Sequence, residues 1–512
     1  MSPIDPTLLF ILLNTEEDKN MSLINVTNLT FAYEGSYDNI FENVSFQIDT
    51  DWKLGFTGRN GRGKTTFLNL LLGKYEYSGN ISADVIFEYF PYEVQEQRNF
   101  TIDVIREISP NLMDWEIVKE LSLLDMDDDA LYRQFNTLSK GEQTKALLAA
   151  MFLKENSFLL IDEPTNHLDA EARQKLSNYL KKKKGFILIS HDRSFLDNCV
   201  DHILSINKTN IEIQKGNFSS WWRNKELQDG FELAENEKLK KDIKRLSSSA
   251  KRTSTWSDSV ESSKYGTTNS GSKLDKGYVG HKAAKMMKRA KNIEARQQNM
   301  IEEKSKLLKN IESNESLKIA PLAFHDRKLV ELTDVAIEYD DRIVCEGVSF
   351  TIEQGEKIAI QGKNGSGKSS IFKLIYGEDI SHSGIVRKNN KLIISYVSQD
   401  TSDLYGNLSE YAEKYCIDES LFKSILRKLD FSIEQFEKNI EDFSGGQKKK
   451  VLLAKSLCER AHLYIWDEPL NFIDVISRMQ IEKLLIEHEL TILFVEHDSA
   501  FCENVATKII KL

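Results

Sequence analysis

Two glycine-rich loops carry the most specific chemistry in this chain. Gly58-Arg59-Asn60-Gly61-Arg62-Gly63-Lys64-Thr65 and Gly362-Lys363-Asn364-Gly365-Ser366-Gly367-Lys368-Ser369 both fit G-x-x-x-x-G-K-[ST], and each is followed by a second hydroxyl, Thr66 or Ser370. In such a loop, backbone N–H groups at a helix N-terminus and the lysine cradle phosphates, while the first hydroxyl faces Mg²⁺. The chain is read as binding ATP and Mg²⁺ twice. Further motifs repeat in the same order. The loops lie 304 residues apart. Leu138-Ser139-Lys140-Gly141-Glu142 precedes Phe443-Ser444-Gly445-Gly446-Gln447 by 305, Asp162-Glu163-Pro164 precedes Asp467-Glu468-Pro469 by 305, and His191-Asp192 precedes His497-Asp498 by 306. Ordinary repeat proteins use far shorter units, so the pattern means two copies of one α/β domain.

Each copy holds the groups that phosphoryl transfer requires. Phe158-Leu159-Leu160-Ile161-Asp162 and Leu463-Tyr464-Ile465-Trp466-Asp467 are apolar runs ending in an acid, the pattern of a buried strand that delivers a carboxylate to a sheet edge. Asp162 and Asp467 are placed to hold Mg²⁺ in its water shell, and Glu163 and Glu468 to polarise an attacking water, which makes them the candidate catalytic residues. A lone histidine is usually structural, and His202 and His462 are read so. Repetition makes His191 and His497 catalytic candidates, each following an apolar strand. Tyr33 and Tyr339 recur 306 residues apart, upstream of their loops, where a ring could stack on adenine; the competing reading is strand packing.

The positioning elements follow from length and composition. The 512 residues suit two large domains and a connector. The five cysteines have no metal-ligand spacing, so a reducing, cytoplasmic home is expected. Leu8 to Leu13, the longest apolar run, is too short to span a bilayer and lacks a basic flank. Residues 1–20 read as a tail or a misplaced start, 21–217 as the first nucleotide domain, 218–325 as a linker and 326–512 as the second domain. With no proline between Pro164 and Pro321, long helices are allowed in the linker. Leu239, Ile243 and Leu246, then Ile293, Met300, Ile301, Leu308 and Ile311, trace apolar stripes on two helices, and Ser/Gly/Thr/Asn-rich residues 257–280 form the loop between them. From Arg223 to Glu312 the net charge is +8 in a chain of net −11. A charge run is ordinarily a solvated helix face, yet a basic element on an acidic body also suits a phosphate backbone. Lys264, Lys273, Lys276, Lys285, Lys288 and Arg289 mix with Tyr265, Leu274 and Tyr278, favouring RNA over DNA or a membrane surface.

The ordered motifs resemble ATP-binding cassette ATPases. The resemblance implies a P-loop fold and signature segments, Ser139/Gly141/Glu142 and Ser444/Gly445/Gly446/Gln447, that each close over the nucleotide held by the other domain. It also implies that Gln399 in Tyr396-Val397-Ser398-Gln399 contacts the metal, whereas the matching Tyr89-Phe90-Pro91-Tyr92 offers a tyrosine, with Gln95 a nearby substitute. Two cassettes around a charged helical hairpin resemble the ABC-F family of ribosome-associated ATPases. That resemblance implies a monomer with intramolecular cassette pairing, acting on the 70S ribosome at the exit site, 23S rRNA and P-site tRNA. Asp467-Glu468-Pro469-Leu470-Asn471-Phe472-Ile473-Asp474, Trp221-Trp222, Lys264-Tyr265-Gly266 and Met287-Lys288-Arg289 are similar to the branch that protects ribosomes from lincosamides, streptogramin A and pleuromutilins. The competing expectations are a housekeeping ABC-F translation factor and the ATPase subunit of a drug exporter.

Overall fold

A computed structural model describes residues 22–34, 39–166, 168–206, 211–262, 319–339, 342–363 and 365–512, with eight helical positions between 281 and 300. Residues 1–20, Asn364, Lys264, Tyr265, Lys273, Leu274, Lys276, Tyr278 and Arg289 lie outside the described residues. The chain divides into two units: Met1–Trp221 with Asn314–Leu512, which holds both cassettes, and Trp222–Ser313.

The first cassette begins with β1 (Leu23–Phe31), β2 (Phe41–Asp49), β3 (Lys53–Thr57), α1 (Lys64–Leu71), β4 (Ser78–Ser82) and β5 (Ile86–Phe90). A helical layer follows, α2 (Thr101–Ile108), α3 (Asp114–Ser122) and α4 (Lys140–Phe152). The chain then alternates β6 (Ser157–Asp162), α5 (Ala170–Lys181), β7 (Phe186–Ile189), α6 (Arg193–Cys199), β8 (His202–Ile206) and β9 (Ile211–Lys215). After α7 (Phe218–Ser262) the second cassette repeats the plan with β10 (Lys328–Tyr339), β11 (Arg342–Glu353), β12 (Lys357–Gln361), α8 (Lys368–Tyr376), β13 (His382–Lys388) and β14 (Ile394–Val397). It closes with α9 (Leu408–Lys414), α10 (Glu419–Lys428), α11 (Gly445–Cys458), β15 (Leu463–Asp467), α12 (Val475–Glu487), β16 (Ile492–Val495), α13 (Ser499–Val505) and β17 (Lys508–Lys511).

Each cassette sets a three-stranded antiparallel sheet, β2-β1-β4 or β11-β10-β13, beside a larger sheet. The larger sheets run β5-β6-β7-β3-β8-β9 and β14-β15-β16-β12-β17, with parallel pairing except between β8 and β9. Helices cover these strands, so they are apolar throughout: Phe186, Ile187, Leu188 and Ile189 of β7 are all buried. The helix that follows the first phosphate loop is pinned by Phe67, fully buried and edge-on to Phe41 and Phe56 at 6.1 and 5.7 Å. Burying one such ring stabilises by roughly 1.5–3 kcal/mol, enough to fix where the loop sits. Ile371 and Phe372 anchor α8 in the same way.

Helix α7 has 45 residues, roughly 68 Å at 1.5 Å per residue. Leu239 and Ile243 of the expected stripe are half-buried on the side of the buried Asn236, while the Leu246 side chain lies outside the described residues. The helix continues to Ser262, past residue 257 where composition places the loop. Serine and threonine lower helix propensity only slightly, and the first glycine after Gly230 is Gly266. Met300, assigned to the second apolar stripe, is 45% exposed, and Ile293, Ile301, Leu308 and Ile311 lie outside the described residues. Lys285 and Lys288 are helical and exposed.

Candidate functional site

In both cassettes the chemistry gathers at the carboxyl edge of the parallel strands. The first phosphate loop leaves β3 and opens α1, whose N-cap Gly63 has φ +91°. A Cβ there would lie 2.5 Å from Ile40 Cγ2, so only glycine fits. Neither α1 nor α8 has a side-chain cap or an acidic residue in its first turn, which leaves the positive end of the helix for an anion. Lys64 Nζ donates to the carbonyls of Gly58 and Arg59 at 2.8 and 3.1 Å, and Lys368 Nζ to those of Gly362 and Lys363, both at 2.9 Å. Burial pushes both ammonium pKa values down, against the pull of nearby carboxylates: Asp474, Glu163 and Asp162 at Lys64, and Glu468, Asp467 and Asp169 at Lys368.

Strands β6 and β15 end on Asp162 and Asp467, and burial raises both carboxyl pKa values. Thr65 Oγ1 donates to Asp162 Oδ2 at 3.3 Å, and Ser369 bonds Asp467. A carboxylate and a hydroxyl per site make a hard oxygen set suited to Mg²⁺, which keeps most of its waters. Buried Asp467 Oδ1 has no hydrogen-bond partner, an orphaned acceptor such a water would satisfy. The residues therefore fit the ion.

The two glutamates follow at left-handed backbone positions, φ +51° for Glu163 and +47° for Glu468. Non-glycine residues hold this conformation at a cost, and here it turns each carboxylate toward the histidine after the next strand. His191 Nε2 stands 3.3 Å from Glu163 Oε1, and His497 Nε2 stands 3.3 Å from Glu468 Oε1. The electrostatics then diverge. Burial and the neighbouring Asp162 push Glu163 up to about 8. At Glu468 burial also works upward, but His497, Lys368 and Lys449 outweigh it and hold the carboxyl below its usual range. Gln399 Nε2 and Asn471 Nδ2 donate to Glu468 Oε2 at 2.8 and 2.6 Å.

The cavities differ as well. A cavity of about 770 Å³ joins Tyr33, Asn60, Gly61, Gly63, Lys64, Thr65, Thr66, Asp162, Glu163 and His191 to Ser444, Gly445, Gly446 and Gln447 of the other cassette. Ser444 caps α11, and Gln447 reaches back to its backbone N–H at 2.9 Å, a capping box that aims the helix start into the cavity. Phe472 also lines this cavity, and its carbonyl accepts from Asn60 Nδ2 at 2.9 Å. The second cavity, about 410 Å³, holds Gly365, Gly367, Lys368, Ser369, Ser370, Gln399, Glu468 and His497. From the first cassette it takes Asn166, Leu168 and Arg173; Ser139, Gly141 and Glu142 do not line it. The expected mutual closure by signatures is thus drawn at one cavity. Arg173 is held by Asp192 Oδ2 at 3.1 Å and donates to the Leu168 carbonyl at 3.0 Å, which keeps the segment after Glu163 at this wall.

Other assignments are placed less centrally. Gly362 and Lys363 line a neighbouring cavity of about 540 Å³, with Lys368 and His497 shared. Ser366 Oγ is buried without a hydrogen-bond partner. Arg59 and Arg62 approach Asp430 across the cassettes, at 3.9 and 3.3 Å. Tyr33 keeps its hydroxyl on Thr66 at 2.8 Å with its ring 43% exposed, whereas Tyr339 does not line the second cavity. Neither Tyr92 nor Gln95 lines the first cavity. Reading the sequence missed Lys450, which lines the first cavity and bonds the buried Asp474 at 3.1 Å, because a Lys-Lys-Lys run looks solvent-facing. Asp474 itself was available as the repeat of Asp169, 305 residues on. The buried Arg193–Glu482 pair between cassettes had no sequence signal.

Comparison with known proteins agrees with this geometry. Residues 41–166 and 345–471 match the ABC transporter family. The chain is 27% identical over 491 residues to the ribosome protection protein VmlR of Bacillus subtilis (strain 168), covering 94% of this chain and 85% of that protein. It is 24% identical over 546 residues to ABC transporter F family member 2 of Arabidopsis thaliana, covering 96% and 76%. Among solved structures, it resembles a chain in the crystal structure of the complex of archaeal ribosomal stalk protein aP1 and archaeal ribosome recycling factor aABCE1, with TM-score 0.61 at 18% identity over 94% of this chain and 87% of that one. No described helix is long and apolar enough to cross a membrane.

Proposed function

We propose that this tandem ATP-binding-cassette ATPase is an ABC-F protein that binds the bacterial ribosome through residues 218–325 and protects it from antibiotics acting at the peptidyl-transferase centre. The observation that carries the reading is the first cavity, in which one cassette's phosphate loop meets the other's signature within a single chain. Nucleotide held there binds the halves to each other, so ATP favours the closed form and hydrolysis releases it. Lys64 and Lys368, now on their own loop carbonyls, are the ammonium groups available to phosphate oxygens. Thr65 with Asp162, and Ser369 with Asp467 and Gln399, would hold Mg²⁺, which would supply neutralising charge on the phosphates. Glu468, ionised and oriented by Gln399, Asn471 and His497, is the group placed to accept the proton of an attacking water.

Support for the ribosome comes from two sides. A net +8 between Arg223 and Glu312 in a chain of net −11 suits a phosphate backbone. The similarity to a ribosome protection protein spans nearly the whole chain. Hydrolysis-blocked protein, Glu163→Gln with Glu468→Gln, should co-sediment with 70S ribosomes in ATP and inhibit translation. Its affinity should fall steeply with salt, and Lys285→Gln with Lys288→Gln should flatten that slope. Failure to co-sediment would overturn the ribosomal reading. Ribosome binding without a raised inhibitory concentration of any peptidyl-transferase drug in a sensitive host would leave a housekeeping translation ATPase instead.

A further inference from the structure

The first site lacks a glutamine where the second has Gln399, and its strand-ending acid is bonded from the neighbouring strand instead. Tyr89 on β5 pairs with Leu160 of β6, two residues before Asp162, and Tyr396 on β14 pairs with Ile465 of β15, two residues before Asp467. Equal register places both rings on the face of their acid, since strand side chains lean along the strand. Only the first makes the bond. Tyr89 Oη donates to Asp162 Oδ2 at 3.1 Å, on the same oxygen that accepts from Thr65 Oγ1 at 3.3 Å. The buried Tyr396 hydroxyl has no hydrogen-bond partner. Their neighbours also differ: Tyr376 packs on Tyr396 with ring centroids 5.0 Å apart, whereas Tyr89 carries the Lys74 ammonium 5.4 Å from its ring centre.

We infer that Tyr89 is the positioning residue of the first site: its hydroxyl, with that of Thr65, fixes one oxygen of Asp162 and so turns the other toward the cavity that the metal would enter. Outer-sphere partners of a ligating carboxylate set its orientation, and their loss costs about ten- to a hundredfold in metal affinity. Lys74 stabilises the ring by a cation–π contact, which keeps the phenol over the acid. In the second cassette the equivalent phenol makes no bond to Asp467, which is bonded by Ser369, and Gln399 donates to Glu468 instead.

The inference rests on the first cavity being a nucleotide site, and the test separates the two. Mn²⁺ serves as the probe, titrated by electron paramagnetic resonance into full-length protein carrying Lys368→Ala, with a non-hydrolysable ATP analogue present. The analogue's own binding is measured in parallel in EDTA. Tyr89→Phe should weaken Mn²⁺ at the remaining site by roughly tenfold or more and leave metal-free nucleotide affinity unchanged. Tyr396→Phe, measured at the second site in a Lys64→Ala background, should change Mn²⁺ affinity by less than about twofold. Unchanged Mn²⁺ affinity in Tyr89→Phe, or equal losses in the two phenylalanine variants, would overturn the inference. Absence of any nucleotide or Mn²⁺ binding in the Lys368→Ala parent would overturn the nucleotide-site reading itself.

Discussion

The two nucleotide sites share a fold and a motif order, yet they are finished in opposite ways. The first is walled by the facing signature, Ser444 to Gln447, while its glutamate is raised to about 8 by burial and Asp162. The second is walled by Asn166, Leu168 and Arg173, while its glutamate is kept ionised by His497, Lys368 and Lys449 and oriented by Gln399 and Asn471. The duplicated domain thus gives two sites that differ in enclosure and in the ionisation of the glutamate. The difference is local: enclosure comes from the partner's loops, and ionisation from a few side chains around one carboxylate.

The largest expected effect lies in the glutamates. Glu468→Gln alone should lower steady-state ATP hydrolysis by about a hundredfold or more, the usual loss on removing a positioned base. Glu163→Gln alone should cost about threefold or less if the first site chiefly holds nucleotide. Equal single-variant rates, measured as phosphate release, would end the comparison.

Glycines of the signatures give a sharper contrast. A Cβ on Gly446 would lie 2.5 Å from the Phe472 carbonyl oxygen, a backbone atom, whereas one on Gly141 meets Leu168 Cδ2 at 3.2 Å, the end of a flexible side chain. Gly446→Ala should therefore weaken ATP at the first site by about tenfold, the scale of an overpacking cost of 1–3 kcal/mol. Gly141→Ala should change ATP affinity at the second site by less than about twofold. Equilibrium titration with a fluorescent ATP analogue checks both.

The smallest expected effect concerns stability. Glu496, where the first cassette has Ser190, is buried and pushed up to about 7 by that burial, partly offset by Arg478. Its native pKa exceeds its unfolded one, so the native state binds the proton more tightly. The stability this gives is full below about pH 4.5 and is lost as pH rises through about 7. Glu496→Gln should flatten that part of the stability curve by an amount on the order of 1–2 kcal/mol, read as a smaller fall in the denaturation midpoint between about pH 5 and 8. An unaltered slope would show that Glu496 does not set it.

Much of this could be read from residues because phosphate chemistry demands particular types at fixed spacing. The loops, the strand-ending acids, the histidines and the duplicated fold all follow from local sequence and repetition. What could not be read depends on which side chain reaches across. Phe472 lies beside the first cavity although it follows the second glutamate by four residues, and the Tyr89 phenol bonds Asp162 while Tyr396 in equal register does not. The extent of α7 was missed for another reason: serine-rich composition resembles a loop, but no glycine or proline interrupts it before Gly266.

Nucleotide exchange tests the inequivalence most directly. Protein loaded with labelled ATP in the Glu163→Gln, Glu468→Gln background is chased with excess unlabelled ATP, and retained label is counted per chain. One slowly and one rapidly exchanging nucleotide are expected, the slow one being lost in Lys64→Ala and kept in Lys368→Ala. Two nucleotides leaving at one rate, or a slow nucleotide that depends on Lys368 instead, would contradict the account.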